Sequence, residues 1–448
     1  MTQTSIKFVS LPFLLFVLIT VFTLAEPKSP NANSAAELNK HGEELLAKRD
    51  YRGAVKQFKK ALTVQSDYEP AVRNLGTVME VLGKDAESET DLQKAIRLAP
   101  EDAVAHNSLG RTLFHEGKYE DSAGSYRKAI EIHDDYAEAY NGLGAALLKL
   151  GKTDEAIGAF QSAASKDPKN VDALSNAGAA LLHAQKAQDA LPYLEKAKAL
   201  KPDAPDVLEN YANALQQLGR TNEAITEYEK ALKGDPKSAV AWAQLGQTQY
   251  AAKQYPEAEV SFNKSLHLDA HQPEVLFLLG AAYTEQGKSK EAMHSYEKGL
   301  ALKPDNPDGL YNLGHAYETQ KEYPRAIDSY QKALAARPEF THALAGLGAC
   351  QLASNKLDDA IATYRKLVPM QSDDPGIRFN FATALFNKGN FKEAAENYRE
   401  AVKLKPDFAH AHYNLGMSLL RLNDAAGAKS EFEEAHRLDA SLQIPKTS

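Results

Sequence analysis

Apolar and small residues recur along this chain with a fixed period of 34 residues. Residues 307–340 show the unit clearly, because spacings of three, four and seven place such residues on one face of each of two successive helices. These residues are Leu310, Leu313, Gly314 and Tyr317 in the first helix and Ala326, Tyr330 and Ala333 in the second. Pro338 then ends the unit. The pattern predicts a repeated helix–turn–helix.

Two places in the repeat hold small residues throughout, and they set its register. Steps of 34 residues from Gly314 meet only glycine or alanine, and the same steps from Ala326 meet only alanine or serine. Small side chains at these places allow the two helices of a unit to cross closely. Twelve such units fill residues 35–442 without an insertion.

This pattern resembles the tetratricopeptide repeat family, which has the same period. Trp242, Leu245 and Gly246 match the opening of its consensus, and Ala258 and Phe262 match the middle. The resemblance implies an all-α fold, an α-solenoid in which antiparallel helix pairs form a right-handed superhelix. It is specific for the fold but says little about function, because the consensus residues are packing residues.

The N-terminal residues differ in character from the repeats. Lys7 precedes an apolar run, Phe8–Ala25, that ends in small residues, which is typical of a secretory signal peptide. The run is nearly long enough to span a bilayer. We therefore predict a signal peptide or signal anchor in residues 1–25 and a polar linker in residues 26–34. Either interpretation predicts an exported protein that is periplasmic, secreted or membrane-anchored, with its repeats outside the cytoplasm.

Both ends of the array carry polar residues at places where inner units have small or apolar ones. These residues are Glu37, His41 and Glu44 in the first unit, and Lys429 and His436 in the last. Solenoid ends need a polar outer face. We therefore predict that both end units are caps, the second followed by a short tail, residues 443–448.

Glycine and proline positions predict where individual helices end. Left-handed residues are expected to close the first helices at Gly83, Gly117, Gly151, Gly219, Gly287, Asn355, Gly389 and Asn423. Pro369 lies inside the second helix of the tenth unit. It is expected to shorten that helix by about one turn.

Composition and charge exclude some classes of partner. With 43% hydrophobic and 25% charged residues, the chain has the composition of a soluble protein. Its formal net charge of −8 argues against a nucleic acid partner. Membrane contact is predicted only through the N-terminal segment, if that segment is not cleaved. The single cysteine, Cys350, is predicted to be a small buried residue.

No group of residues predicts catalysis, a metal site or a cofactor. Two Gly-Lys-Ser/Thr triplets resemble a phosphate-binding loop, but they lack its first glycine and lie between helices. His410 and His412 point to different sides of a helix, and no further ligands complete a zinc site at His267 and His271. We therefore predict no catalytic residue, no metal ligand and no cofactor, in a protein that is not an enzyme.

The resemblance also implies which places face a partner. In this family the concave wall is formed by first helices, at the second, fifth, sixth, ninth, twelfth and thirteenth places. The sixth place here holds asparagine in six units: Asn74, Asn176, Asn210, Asn312, Asn380 and Asn414. An amide can bond the backbone of an extended peptide. The column is similar to the asparagine ladder in the repeat domain of O-linked N-acetylglucosamine transferases, without their catalytic domain. A capping or inter-repeat hydrogen bond is the alternative.

The fifth place changes from mostly polar residues, such as Asn141, to mostly aromatic ones. Exposed aromatic rings mark partner sites, although packing against the neighbouring unit is the alternative. The predicted partner-binding residues are Asn176, Asn210, Phe277, Tyr311, Asn312, Phe379, Asn380, Tyr413 and Asn414. The family's charged clamp for chaperone C-termini is not predicted, because only Arg73 of its cationic set is present.

The sequence as a whole predicts a non-enzymatic scaffold that binds extended segments of partner proteins in a concave groove. Two alternatives stay open. One is a cell-envelope assembly or export factor anchored at the membrane. The other is a regulatory subunit of a glycosyltransferase, which rests on the asparagine column alone. Nothing in the pattern indicates which protein is bound or the oligomeric state.

Overall fold

The computed structural model describes residues 34–445, which form 24 helices and no strand. The predicted signal segment and almost all of the linker lie outside the described residues, as do the last three residues of the tail. The chain divides into two compact units. Within the described range we call residues 34–237 the N-terminal unit and residues 238–445 the C-terminal unit.

Each unit contains twelve helices. The N-terminal unit holds α1 (Ala35–Ala47), α2 (Tyr51–Val64), α3 (Glu69–Val81), α4 (Asp85–Leu98), α5 (Ala103–His115), α6 (Tyr119–Ile132), α7 (Ala137–Lys149), α8 (Thr153–Lys166), α9 (Val171–His183), α10 (Ala187–Leu200), α11 (Pro205–Gln217) and α12 (Thr221–Gly234). The C-terminal unit holds α13 (Ala239–Ala251), α14 (Tyr255–Leu268), α15 (Pro273–Glu285), α16 (Ser289–Leu302), α17 (Pro307–Thr319), α18 (Tyr323–Ala336), α19 (Thr341–Ala353), α20 (Leu357–Leu367), α21 (Pro375–Lys388), α22 (Phe391–Leu404), α23 (Ala409–Arg421) and α24 (Ala425–Leu438).

The two helices of each repeat pack against each other, and the small residues lie where they cross. A Cβ atom added to Gly314 would stand 2.8 Å from Cδ1 of the Tyr330 ring. Ala326 is completely buried on the facing helix. A larger residue at either place would have to displace a packed ring, which explains why these columns contain only small residues.

First helices also pack against the first helices of neighbouring repeats in the same unit, such as α15 against α17 and α17 against α19. They thereby form one layer, which we call the first-helix wall of each unit, and the second helices form the other. The prediction of an all-α solenoid of helix pairs is confirmed. The handedness of the superhelix stays a prediction.

Every first helix is followed by a residue with positive φ. The eight predicted left-handed positions are confirmed, with φ from 58° at Asn355 to 91° at Gly389. Four further repeats use a residue that pays a steric cost in this conformation. They are Arg49, Gln185, Lys253 and Lys321, with φ of 62°, 60°, 60° and 59°.

Glycine in place of Lys321 is expected to raise the free energy of unfolding of the C-terminal unit by roughly 1 kcal/mol, because it removes the cost of the left-handed conformation. Lys332→Gly, on the exposed side of α18, is the control. There glycine should lower stability by about 1 kcal/mol, since it weakens a helix interior. Urea unfolding of both variants measures the difference. A loss of stability in Lys321→Gly would contradict the strained turn.

The remaining local predictions can be compared directly with the helices. Helix α20 ends at Leu367 after 11 residues, whereas its counterparts run for 14, so the shortening before Pro369 is confirmed. The polar residues of the two end repeats, His41 and Lys429 among them, are exposed.

Cys350 is fully buried as predicted, and burial raises the pKa of its thiol to about 12. Within residues 34–445 no helix is both long and apolar enough to cross a membrane.

Candidate partner-binding surface

In the N-terminal unit the asparagine column is bonded into the fold. Asn176 is 3% exposed, and its Nδ2 donates a hydrogen bond to Oδ1 of Asn141 at 3.0 Å, 35 residues earlier. Asn210 is completely buried. Nδ2 of Asn74 donates to Oδ1 of Asn39 at 3.1 Å. These amides support the inter-repeat alternative, and Asn176 and Asn210 leave almost no surface for a partner.

In the C-terminal unit the same column is half-buried. Nδ2 of Asn414 lies 3.3 Å from the Tyr398 hydroxyl, to which it donates a hydrogen bond. Asn380 is half-buried as well. The side chain of Asn312 makes no hydrogen bond with any residue in the range 34–445, so its amide is open to a partner. The asparagines that a bound segment could reach therefore belong to this unit.

Phe277 is held by two glycines that occur nowhere else in their columns. A Cβ added to Gly299 in α16 or to Gly309 in α17 would stand 2.6 Å from Cε1 of the Phe277 ring. The ring therefore fills the space between these two helices, and only its remaining surface is accessible. This arrangement favours packing as the main role of Phe277.

The other three aromatic residues also rest on the core with one side. The Tyr311 ring centroid lies 5.1 Å from that of Phe340, and Phe379 lies 4.9 Å from Phe408. Tyr413 lies 5.3 Å from the ring of Phe432. All three predicted rings are half-buried, so each combines a packing contact with an accessible edge on the first-helix wall.

Phe340 and Phe408 were missed in the sequence, although both extend the aromatic surface. Each occupies the last place of a repeat and packs against a fifth-place ring 29 residues earlier. An aromatic residue at that spacing from another aromatic is the signal that could have identified them. Between the two ring pairs, α19 presents the small residues Ala345, Gly346 and Ala349. Along the wall, small side chains thus separate the two pairs of aromatic rings.

The carboxylate of Glu318 lies on this wall at the end of α17. Its Oε2 accepts a hydrogen bond from the Tyr330 hydroxyl at 2.6 Å, and Nδ1 of His315 is 3.7 Å away. Burial alone would raise the pKa of Glu318, but the nearby imidazole of His315 and the hydrogen bond from Tyr330 outweigh it and lower that pKa. The same contact raises the pKa of His315. Glu318 is therefore ionised at neutral pH.

The wall of the N-terminal unit carries a different electrostatic feature, a pair of neighbouring carboxyl groups. Nη1 of Arg73 lies 2.8 Å from Oδ2 of Asp102. Burial, followed by a hydrogen bond to Asp102, raises the pKa of Glu69 from its usual 4.5 to about 7. The two carboxyl groups therefore share a proton at mildly acidic pH.

Glu69→Gln is expected to stabilise the N-terminal unit by about 1 kcal/mol at pH 8, and by much less at pH 4. Because the folded-state pKa of Glu69 lies above that of the unfolded chain, wild-type stability falls as pH rises from about 4.5 to 7. Glutamine donates to Asp102 at every pH and avoids this loss. Urea unfolding at both pH values tests the prediction, and an equal effect at the two would contradict it.

The fold and the wall define an α-solenoid protein built from tandem helix pairs. Family models described as "TPR repeat" match residues 110–151, 212–253, 280–321 and 382–423. Models described as "Tetratricopeptide repeat" match residues 39–103, 141–205, 311–375 and 409–441. The chain belongs to the tetratricopeptide repeat family. Repeats of this family serve generally as non-catalytic modules for protein–protein interaction, and the predicted protein-binding scaffold agrees with this at that level.

Several solved structures are similar to this chain at low identity. The APC/C hetero-tetramer Cut9–Hcn1 is 14% identical over 91% of this chain and 94% of that chain, with a TM-score of 0.41. YrrB, described as a TPR protein with an unusual peptide-binding site, is 24% identical over 41% and 95%, with a TM-score of 0.37. Pseudomonas aeruginosa pilF is 22% identical over 47% and 96%, with a TM-score of 0.42. These likenesses carry no argument about function. Comparison with curated proteins gave no match.

Proposed function

We propose that this protein is a non-enzymatic scaffold that binds extended segments of partner proteins along the first-helix wall of its C-terminal unit. The observation that carries the proposal is the row of half-buried rings on that wall, next to an amide without a hydrogen bond. Tyr311 and Phe379 offer accessible aromatic edges, and Asn312 offers its amide. Apolar contact from rings supplies affinity, and the amide can bond a peptide backbone whatever its side chains are.

The contrast between the two units supports this location. On the wall of the N-terminal unit, Asn141 and Asn176 bond each other and are buried. Such groups offer a partner neither apolar surface nor open hydrogen-bonding capacity. A regulatory subunit of a glycosyltransferase rests on the asparagine column alone, and it stays a prediction.

The test introduces a charge on each layer of the solenoid. Ala349→Lys lies on the first-helix wall, at a place where other repeats carry His315 or Met417, so the larger side chain fits. Ala335→Lys lies on the exposed side of the second helix α18 and is the matched control. Partners captured from an extract of the native host should bind Ala349→Lys at least about tenfold more weakly than wild type, and Ala335→Lys equally well. Equal binding by all three proteins would contradict the proposal.

We further propose that the repeats act outside the cytoplasm, on the basis of the apolar N-terminal residues alone. A cell-envelope assembly or export factor anchored at the membrane is the second candidate function, and the same segment favours it. High-salt washing of host membranes distinguishes a cleaved, soluble scaffold from an anchored factor. Recovery of the protein in the cytoplasmic fraction would contradict both.

A further inference from the structure

The first-helix wall of the C-terminal unit carries acidic groups without lysine or arginine neighbours in its own layer. The six places of each first helix that are predicted to face a partner contain no lysine or arginine in the five repeats from residue 239 to 408. Two carboxylates there are neutralised from the following turn, since Glu274 pairs with Lys303 at 3.3 Å and Asp308 with Arg337 at 2.8 Å. Glu318 has no lysine or arginine partner within the described residues.

Aromatic groups surround this carboxylate. Tyr311 lies about two helical turns before Glu318, and its ring is parallel to that of His315, with centroids 6.4 Å apart. The centroid of the His342 ring lies 6.2 Å from that of Tyr311. Tyr330 donates to one oxygen of Glu318, and the other oxygen accepts no hydrogen bond from residues 34–445. An ionised carboxylate with an open oxygen therefore lies two turns along the same helix from an electron-rich ring, and His315 lies between the two.

The same unit already binds cations over its rings. The guanidinium of Arg337 lies 4.6 Å from the centroid of Phe340, and that of Arg325 lies 4.2 Å from the centroid of Tyr317. The Arg337 pair repeats the proposed chemistry closely, because its guanidinium bonds Asp308 and stacks on an aromatic ring at once. No lysine or arginine of the described residues stacks in this way on Tyr311.

We propose that the wall binds a lysine or arginine side chain of the partner segment between Tyr311 and the open oxygen of Glu318. This inference rests on the proposed function and names the chemistry of the segment that the wall selects. The cation contacts the ring face and the carboxylate together, as Arg337 does with Phe340 and Asp308. Charge complementarity and the absence of lysine and arginine from the wall disfavour an acidic segment, which Glu318 repels.

A phage-displayed library of random dodecapeptides, selected on the purified full chain, tests this composition. Selections run in parallel on wild type, Glu318→Gln and Glu291→Gln, which removes a carboxylate from the exposed second helix α16. Glutamine at 318 can still accept from Tyr330, so the fold is kept. We expect arginine and lysine to be enriched in the wild-type and Glu291→Gln pools and to fall to the level of the unselected library with Glu318→Gln.

A double-mutant cycle then assigns the contact. We titrate one selected arginine peptide and its citrulline analogue against wild type and Glu318→Gln. Citrulline keeps the shape of arginine and loses its charge. Removing either charge should weaken binding about tenfold, and removing both should cost no more than removing one. Additive losses, or enrichment of peptides without a cation, would overturn the subsite while leaving the proposed function intact. Failure of the wild-type wall to select any peptide would instead overturn the proposed function.

Discussion

Leucine in place of Gly144 is expected to lower the free energy of unfolding of the N-terminal unit by about 3 kcal/mol or more. A Cβ at this position would already stand 2.7 Å from Cε1 of Phe160, well inside van der Waals contact. Phe160 is 1% exposed and has no room to move away. The overpacking must therefore separate α7 from α8 or force the ring from its rotamer.

Gly158→Leu is the matched control in the same repeat. It lies in α8, and a Cβ there would meet no atom within 4 Å. Because leucine is a better helix former than glycine, this variant should be more stable than wild type by about 0.5–1 kcal/mol. Urea unfolding followed by circular dichroism compares the two variants. Equal effects at both positions would show that the assignment of the crossing residues is wrong.

Tyr311→Ala is expected to weaken binding of a captured partner by about 2 kcal/mol, the typical loss for an aromatic anchor. Asn312→Ala should cost nearer 1 kcal/mol, because it removes one amide-to-backbone hydrogen bond. Tyr193→Ala is the matched control, because it also removes a half-buried ring, from the second helix α10 of the other unit. Tyr193→Ala should leave affinity unchanged in an isothermal titration.

Circular dichroism must accompany these titrations, since Tyr311 also packs on Phe340. If Tyr311→Ala unfolds the C-terminal unit, the main role of the ring is to pack in the core. If the variant folds and binds the partner as wild type does, the partner contacts lie elsewhere. Asn141→Ala is not a neutral control in these experiments, because it removes a buried hydrogen bond between Asn141 and Asn176 and should destabilise the N-terminal unit instead.

The helices of this protein could be predicted from the sequence because local physics determines them. Apolar spacing indicates both helices of a repeat, and Gly314 and Ala326 mark the crossing. Pro369 shortens one helix because proline has no N–H to donate. The turns were only partly predictable. Lys321 takes the left-handed conformation that glycine takes elsewhere, since the fixed register of the repeat outweighs its steric cost.

The binding surface could be predicted less well, because it depends on contacts between repeats. The asparagine column is uniform in sequence, yet Asn176 is bonded and buried whereas Asn312 is open. Whether such an asparagine is bonded or open depends on the fifth-place residue of the neighbouring repeat. Phe277 looked like its aromatic counterparts, but glycines at 299 and 309 make room for it between helices. Only the pairing of these unusual residues could have revealed that role.

Site-specific photocrosslinking tests the central claim, that partner segments lie along the first-helix wall of the C-terminal unit. A benzophenone amino acid replaces Ala281 or Ala353 on the wall, or Ala301 on the exposed side of α16, one position at a time. After irradiation with a captured partner, mass spectrometry identifies the adducts. We expect adducts from both wall positions, joined to one continuous stretch of the partner, and none from Ala301. Adducts from Ala301 alone would contradict this account.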